Sequence, residues 1–244
     1  ANVSLYLSRI RTREDQESAG GKYHHMIVHG FSPDDEKQIK QVANLADVHG
    51  LVFRIDGDTS PWEIARLAQA ACHTHGLKVS LHIRMTKGPP GLKQTDDNWV
   101  ADRVAEAIAS ACAYGDVHVY VDTFADVDRG YYRRHGIVDR FYNPRPGFEV
   151  VRQLTTAFAH VVSFSPGNKG AQVHLIGEKG QHFEIIKKTS PAMPHTHAEY
   201  GRLIDLYTGN CVAAKRSEDG AFLPPSQSPL SLWETGEESN RTIK

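Results

Sequence analysis

Cysteine is scarce in this chain. Three in 244 residues, Cys72, Cys112 and Cys211, cannot build a disulfide framework. Cys72 and Cys112 fall on the apolar stripes of expected helices and read as buried free thiols. Long apolar runs are absent as well; the longest have strand length, so no membrane span is expected. An excess of one charge is also missing. With a formal net charge of -1, no long-range field draws nucleic acid or an anionic membrane, and neither is expected as a partner. No signal peptide is visible, although residue 1 is alanine, and a cytoplasmic location is the expectation. No internal repeat is present. What remains has the composition of an ordinary globular chain, 40% hydrophobic and 23% charged, long enough for one large domain or two small ones.

The first half alternates strand and helix signals. Short β-rich runs stand at Val3 to Leu7, Tyr23 to Val28, Leu51 to Ile55, Leu77 to Ile83 and Val117 to Val121. Between them, Ser32-Pro33 opens a helix whose apolar face is Ile39, Val42, Ala43 and Ala46. Ser60-Pro61-Trp62-Glu63 reads as a capping box for a helix that stops at Gly76. A third helix is expected from Asp97 to Tyr114 and a last one from Arg145 to Phe158. Strands separated by helices of this length imply βαβ units, hence a parallel sheet.

After residue 160 the rhythm changes. Ala171 to Ile176 and His182 to Lys187 flank Gly177-Glu178-Lys179-Gly180, a hairpin signal. Leu203 to Leu206, Cys211 to Lys215 and Pro229 to Trp233 are further short strands between turns. The fold class expected is α/β, a partial or complete TIM-type barrel, followed by a small antiparallel β-sandwich. The boundary falls between residues 1–159 and 160–244, with a polar tail from Thr235.

In a parallel sheet the C-terminal strand ends share one rim, where α/β folds bind ligands. The rim residues here are His29, then Asp56 and Asp58, then His82 and Arg84, then Asp122 with Asp126 and Asp128 beyond it. Carboxylates, an imidazole and a guanidinium suit a hydroxylated or anionic small molecule. Two carboxylates can flank a glycosidic bond as acid and nucleophile or base, and Asp56 and Asp122 are the catalytic candidates. Asp58, His82, Arg84, Asp126 and Tyr131 are the substrate-binding candidates, with Tyr132 and Tyr142 as further stacking surfaces. The plain alternative is that Asp56 and Asp58 cap a helix while Asp126 and Asp128 pair with Arg129, Arg133 and Arg134. No cofactor is implied. A divalent zinc or manganese ion on His29, His82, Asp56 and Asp122 is the metal alternative, without a closed ligand motif to require it.

Three segments carry a family resemblance. Gly136-Ile137-Val138-Asp139 with Asn143-Pro144-Arg145-Pro146-Gly147-Phe148 resembles the approach to the last barrel helix of clan A-type glycoside hydrolases. GRLIDLYTGN, from Gly201 to Asn210, resembles the Asp-x-x-Thr-Gly turn of their appended sandwich, and FLPPSQSPLSLWE, from Phe222 to Glu234, its closing strand. The resemblance implies the C-terminal half of a (β/α)8 barrel plus a sandwich, and a carbohydrate-active function. Two departures stand beside it. About five strand candidates precede the sandwich, where a barrel has eight. The family's nucleophilic glutamate belongs at the end of the seventh strand, yet Leu77 to Ile83 leads only into Arg84, and no Asn-Glu pair ends an earlier strand. Its catalytic residues therefore do not carry over. A glycoside hydrolase-like enzyme, a subunit or fragment of one, and a non-catalytic carbohydrate-binding or assembly subunit all remain open. A homo- or hetero-oligomer that completes the barrel is expected, because open sheet edges must be covered.

Overall fold

The computed structural model describes residues 25–29, 39–40, 48–55, 59–85, 96–114, 117–128, 133–159, 161–166, 173–177, 181–187, 200–216, 222–223 and 230–235. The strand expected at Val3 to Leu7 and the opening of the helix expected at Ser32 lie outside them; Ile39 and Lys40 are helical.

Four strands, β1 (His25–His29), β2 (Val48–Ile55), β3 (Lys78–Ile83) and β4 (Val117–Val121), form one sheet in the order β1-β2-β3-β4. Every pairing in it is parallel. Neighbours in sequence are neighbours in space, so the chain winds in one direction, as a barrel does; a doubly wound sheet reverses. Helix α1 (Pro61–His73) crosses from β2 to β3, and α2 (Asp97–Tyr114) crosses from β3 to β4.

Sequence pattern explains the helices. In α1 the buried positions Pro61, Ile64, Ala65, Ala68 and Cys72 make one stripe at helical spacing. That stripe packs on Leu51, Phe53, Ile55, Val79 and Leu81 of the sheet. Pro61 occupies the first turn, where a missing N–H costs nothing. Ser60 is extended as a cap residue should be, but its hydroxyl makes no capping bond; the expected capping box is not closed. The helix ends where Gly76 takes φ 66° and Leu77 N–H returns to Cys72 O at 3.0 Å. Burial pushes the Cys72 thiol up to about 12 and that of Cys112 up to about 11, which leaves both unreactive.

Helix α3 (Pro146–Phe158) leads into a second, antiparallel sheet. Its strands are β7 (Val161–Pro166), β8 (Val173–Gly177), β9 (His182–Lys187), β10 (Tyr200–Asp205), β11 (Cys211–Arg216), β12 (Phe222–Leu223) and β13 (Leu230–Thr235), paired in the order β12-β11-β10-β13-β9-β8-β7. The hairpin expected between β8 and β9 is present, with Ile176 opposite His182. Among the described residues these strands pair edge to edge in one seven-stranded sheet, where two packed layers were the expectation. Helices cover part of its apolar face: Phe183, Ile185, Leu206 and Leu232 join Val100, Val104, Val150 and Leu154 of α2 and α3 in one core. That core continues across residue 159.

Strand β7 escaped the sequence reading because Ser163, Ser165 and Pro166 dilute its apolar signal. So did a two-stranded ribbon of β5 (Val127–Asp128) with β6 (Arg133–Arg134), whose charged residues carry no strand propensity.

Candidate functional site

Alternation along the strands sets the site. Phe53 and Ile55, Leu81 and Ile83, and then Met85 are buried on the helix-packed side. The residues between them face the other way. Arg54, His82 and Tyr120 are register partners across three adjacent strands and form a row on this far face. Pairing continues one step beyond the strands. Arg84 N–H donates to Ile55 O and Asp122 N–H to Ile83 O, each at 3.1 Å. Arg84 and Asp122 therefore leave the sheet side by side at its C-terminal edge, one level above the row. Met85 N–H donates to Asp122 Oδ1 at 3.4 Å, which draws the carboxylate toward β3. Behind the rim, buried Arg103 of α2 donates from Nε to Arg84 O at 3.3 Å and from Nη1 to Thr59 O at 3.0 Å. One guanidinium thus holds the segments that follow β2 and β3.

Of the expected site residues, the structure brings His82, Arg84 and Asp122 to one edge. Asp56, Asp58 and Tyr131 lie outside the described residues. His29 ends β1 in register with Phe53. Asp126 has both carboxylate oxygens engaged. Oδ2 accepts from Arg145 Nη2 at 2.5 Å, and Oδ1 accepts from Gly136 N–H at 2.8 Å.

That pair belongs to a clasp. Arg145 Nη1 also donates to Asp97 Oδ1 at 2.9 Å, and His135 Nε2 lies 2.8 Å from the same oxygen. Arg145 Nη1 lies 2.6 Å from His135 Nε2 and 2.9 Å from Nδ1, so the ring tautomer decides which nitrogen accepts from it. His135 is buried. Burial first, and then the Arg145 guanidinium, hold its pKa below the ordinary histidine value, while Asp97 opposes them. The clasp joins the start of α2, the loop after β4 and the start of α3. Gly136 is required in it. A Cβ there would meet the backbone of Phe124 and Ala125 at 2.5–2.7 Å.

Farther out, the chain doubles back. Val138 bridges Ala125 on one side and Pro144 on the other. Asp139 Oδ1 accepts the N–H groups of Phe141 (2.7 Å) and Asn143 (2.8 Å), and Oδ2 accepts Asn143 Nδ2 at 2.8 Å. These bonds hold the Asp139 carboxyl below the usual carboxylate range. They also hold Tyr142 at φ 65°, a left-handed conformation uncommon for a bulky residue.

Arg54 and Tyr120 were absent from the sequence-derived site. Their signal was legible: Arg54 breaks the apolar run Leu51-Val52-Phe53-Arg54-Ile55, and Tyr120 alternates with valines in Val117-His118-Val119-Tyr120-Val121. Asp97, His135 and Arg145 had no such signal, since they meet only in space.

Among the described residues, no three His, Cys, Asp or Glu side chains gather as a metal site, and no helix is long and apolar enough to cross a membrane.

No protein-family model and no curated protein matches the chain. Solved structures do. The chain is similar over 82% of its length to a family 39 glycoside hydrolase from the gut symbiont Bacteroides cellulosilyticus, with TM-score 0.53 and 13% identity, covering 47% of that chain. Over 88% of its length it is similar to a glucosidase from Croceicoccus marinus, with TM-score 0.49 and 17% identity, covering 48% of that chain. The chain spans about half the length of each. Over the matched portion the parallel strands and helices thus share an α/β fold with a glycoside hydrolase.

Proposed function

We propose that this chain is carbohydrate-active and binds sugar on the far face of the parallel sheet, at its C-terminal edge. It forms the C-terminal half of a clan A-type (β/α)8 barrel with an appended antiparallel sheet. The other strands come from a partner polypeptide or from more of the same one. One observation carries the reading: the row of Arg54, His82 and Tyr120, capped by Arg84 and Asp122, at the C-terminal edge of the parallel sheet. These groups offer charge-assisted donors, a carboxylate and an aromatic ring to a hydroxylated ligand. In a hydrolase, Asp122 acts as one of the two carboxylates that flank the glycosidic bond, and Asp56 is its partner. Arg84 and His82 orient the sugar.

A panel of nitrophenyl glycosides tests this, with wild type, Asp56→Asn and Asp122→Asn compared. Loss of a positioned acid or base lowers turnover by about 10²–10⁴-fold. Equal turnover in all three proteins removes both residues from the mechanism. A second reading, a binding subunit without catalysis, is favoured by the end of β3. His82-Ile83-Arg84-Met85 contains no carboxylate where the resembled family holds its nucleophile. Sugar binding with no turnover on any substrate decides for it. Activity abolished by a chelator and restored by zinc or manganese decides for the metal alternative. The native mass of the particle reports whether a second chain completes the barrel.

A further inference from the structure

One buried histidine in this chain stands where a single proton breaks the contact it makes. His135 is 7% exposed, and any further chain packed on the molecule only buries it more. Its ring lies between two groups with opposite requirements. Arg145 Nη1, 2.6 Å from Nε2 and 2.9 Å from Nδ1, requires an acceptor. Asp97 Oδ1, 2.8 Å from Nε2, requires a donor. A neutral imidazole carries one acceptor and one donor in either tautomer; an imidazolium carries two donors and no acceptor. Protonation therefore removes the acceptor for Arg145 whichever tautomer is present, and it sets two cations 2.6 Å apart.

Arg145 has little room to retreat. Its Nη2 donates to Asp126 Oδ2 at 2.5 Å, and its backbone N–H donates to Ile137 O at 3.1 Å. Asp97 cannot separate the two cations, because both reach the same oxygen. Among the described residues, the charges acting on His135 are Arg145 from the start of α3, Asp97 from the start of α2 and Asp126 from the loop after β4. Asp139, farther along that loop, is in turn acted on by Arg145. Burial and the guanidinium outweigh the two acids, so the closed clasp favours the neutral ring. Once the clasp opens and water reaches the ring, the charged form is favoured again. Falling pH then shifts the balance toward the open form.

The clasp is joined to the rim on both sides. Asp97 begins α2, and Arg103 of the same helix donates to Arg84 O. Asp126 lies four residues beyond Asp122, on a segment laced to the His135 loop by Asp126 N–H to Val138 O at 3.1 Å and Val138 N–H to Phe124 O at 3.0 Å. Met85 N–H to Asp122 Oδ1 then links the two connections at the rim itself. We propose that His135 is an acid-sensitive latch: neutral, it closes the clasp and holds together the connections that follow β3 and β4; protonated, it opens the clasp and frees the rim residues Arg84 and Asp122 to move apart. The latch acts whatever ligand the rim takes, so it stands independently of the carbohydrate reading.

Amide exchange on the full chain tests it, between about pH 7.5 and 4.5, with rates corrected for the intrinsic effect of pH on exchange. Gly136, Asp126 and Val138 N–H report the clasp, and Met85 N–H reports the rim. In wild type, protection at these four sites falls by up to about tenfold per pH unit below about 6.5, while the central amides of β2 and β3 keep theirs. His135→Gln retains an acceptor and a donor but takes up no proton, and its protection stays level over the same range. Should that variant fail to fold, wild type still decides: the Gly136 amide shift must titrate with the His135 ring, at one midpoint. Level protection in wild type overturns the latch. So does a loss spread evenly over the strands, which is global unfolding, or the same loss in His135→Gln. Loosening at Gly136 that leaves Met85 N–H protected shows that the rim does not follow the clasp, and this too overturns it.

Discussion

Replacing Arg145 by methionine keeps the apolar stem and removes one buried charge. Arg145 is 15% exposed, Asp126 23% and Asp97 45%. Breaking a buried ion pair costs about 3–5 kcal/mol, because the abandoned carboxylate cannot regain water. Asp97 sits near enough to solvent to rehydrate, so its lost bond adds little. Asp126 keeps the Gly136 N–H but loses its charged partner. These offsets place the expected loss at the low end, about 3 kcal/mol. For a chain of this size that is a fall in Tm of roughly 6–12 °C. Urea unfolding followed by circular dichroism measures it, and amide exchange at Gly136 reports whether the loop itself loosens. A double-mutant cycle with Asp126→Asn isolates the pair, with an expected coupling of about 1–3 kcal/mol. A loss below about 0.5 kcal/mol, typical of surface substitutions, refutes the clasp as an organiser of this loop.

Two further outcomes follow from the same packing. His135 has a lowered pKa when folded, so the unfolded chain binds its proton more readily. The contribution is complete above the ordinary value of about 6.5 and is lost as pH falls from there toward the lowered folded value. Unfolding midpoints at pH 7.5 and 5.5, in wild type and His135→Gln, check this; an equal pH slope in the two proteins contradicts it. Leu232 lies in the antiparallel sheet yet shares its core with α2 and α3. Leu232→Ala is expected to cost about 2–5 kcal/mol. Helix and sheet signals should shift together; a shift confined to the sheet signal contradicts the shared core.

The sequence was most legible where one local force dominates. Apolar stripes at helical spacing marked α1 and α2, and the bounds of α2 and β4 agree with their expected positions. Proline at the first turn marked the start of α1. The Asp-x-x-Thr-Gly phrase has a local cause too: Asp205 Oδ1 accepts Tyr207 and Thr208 N–H, and Gly209 takes φ 73°. Such signals need only a few neighbouring residues, and so they survive in one dimension.

What the sequence by itself determined was the run of elements, the parallel character of the first sheet, and the carriage of His82, Arg84 and Asp122 to a single edge. Tertiary structure alone decided what those residues meet. It paired Asp126 with Arg145 instead of leaving the acid open at the rim, and it set Arg54 and Tyr120 into the same row as His82. It also laid one face of the antiparallel sheet on α2 and α3. The physical reason is the range of the forces. Periodicity tells which side of an element is apolar, but partners far apart in the chain are chosen by register, by burial and by the cost of leaving a charge without a counter-charge.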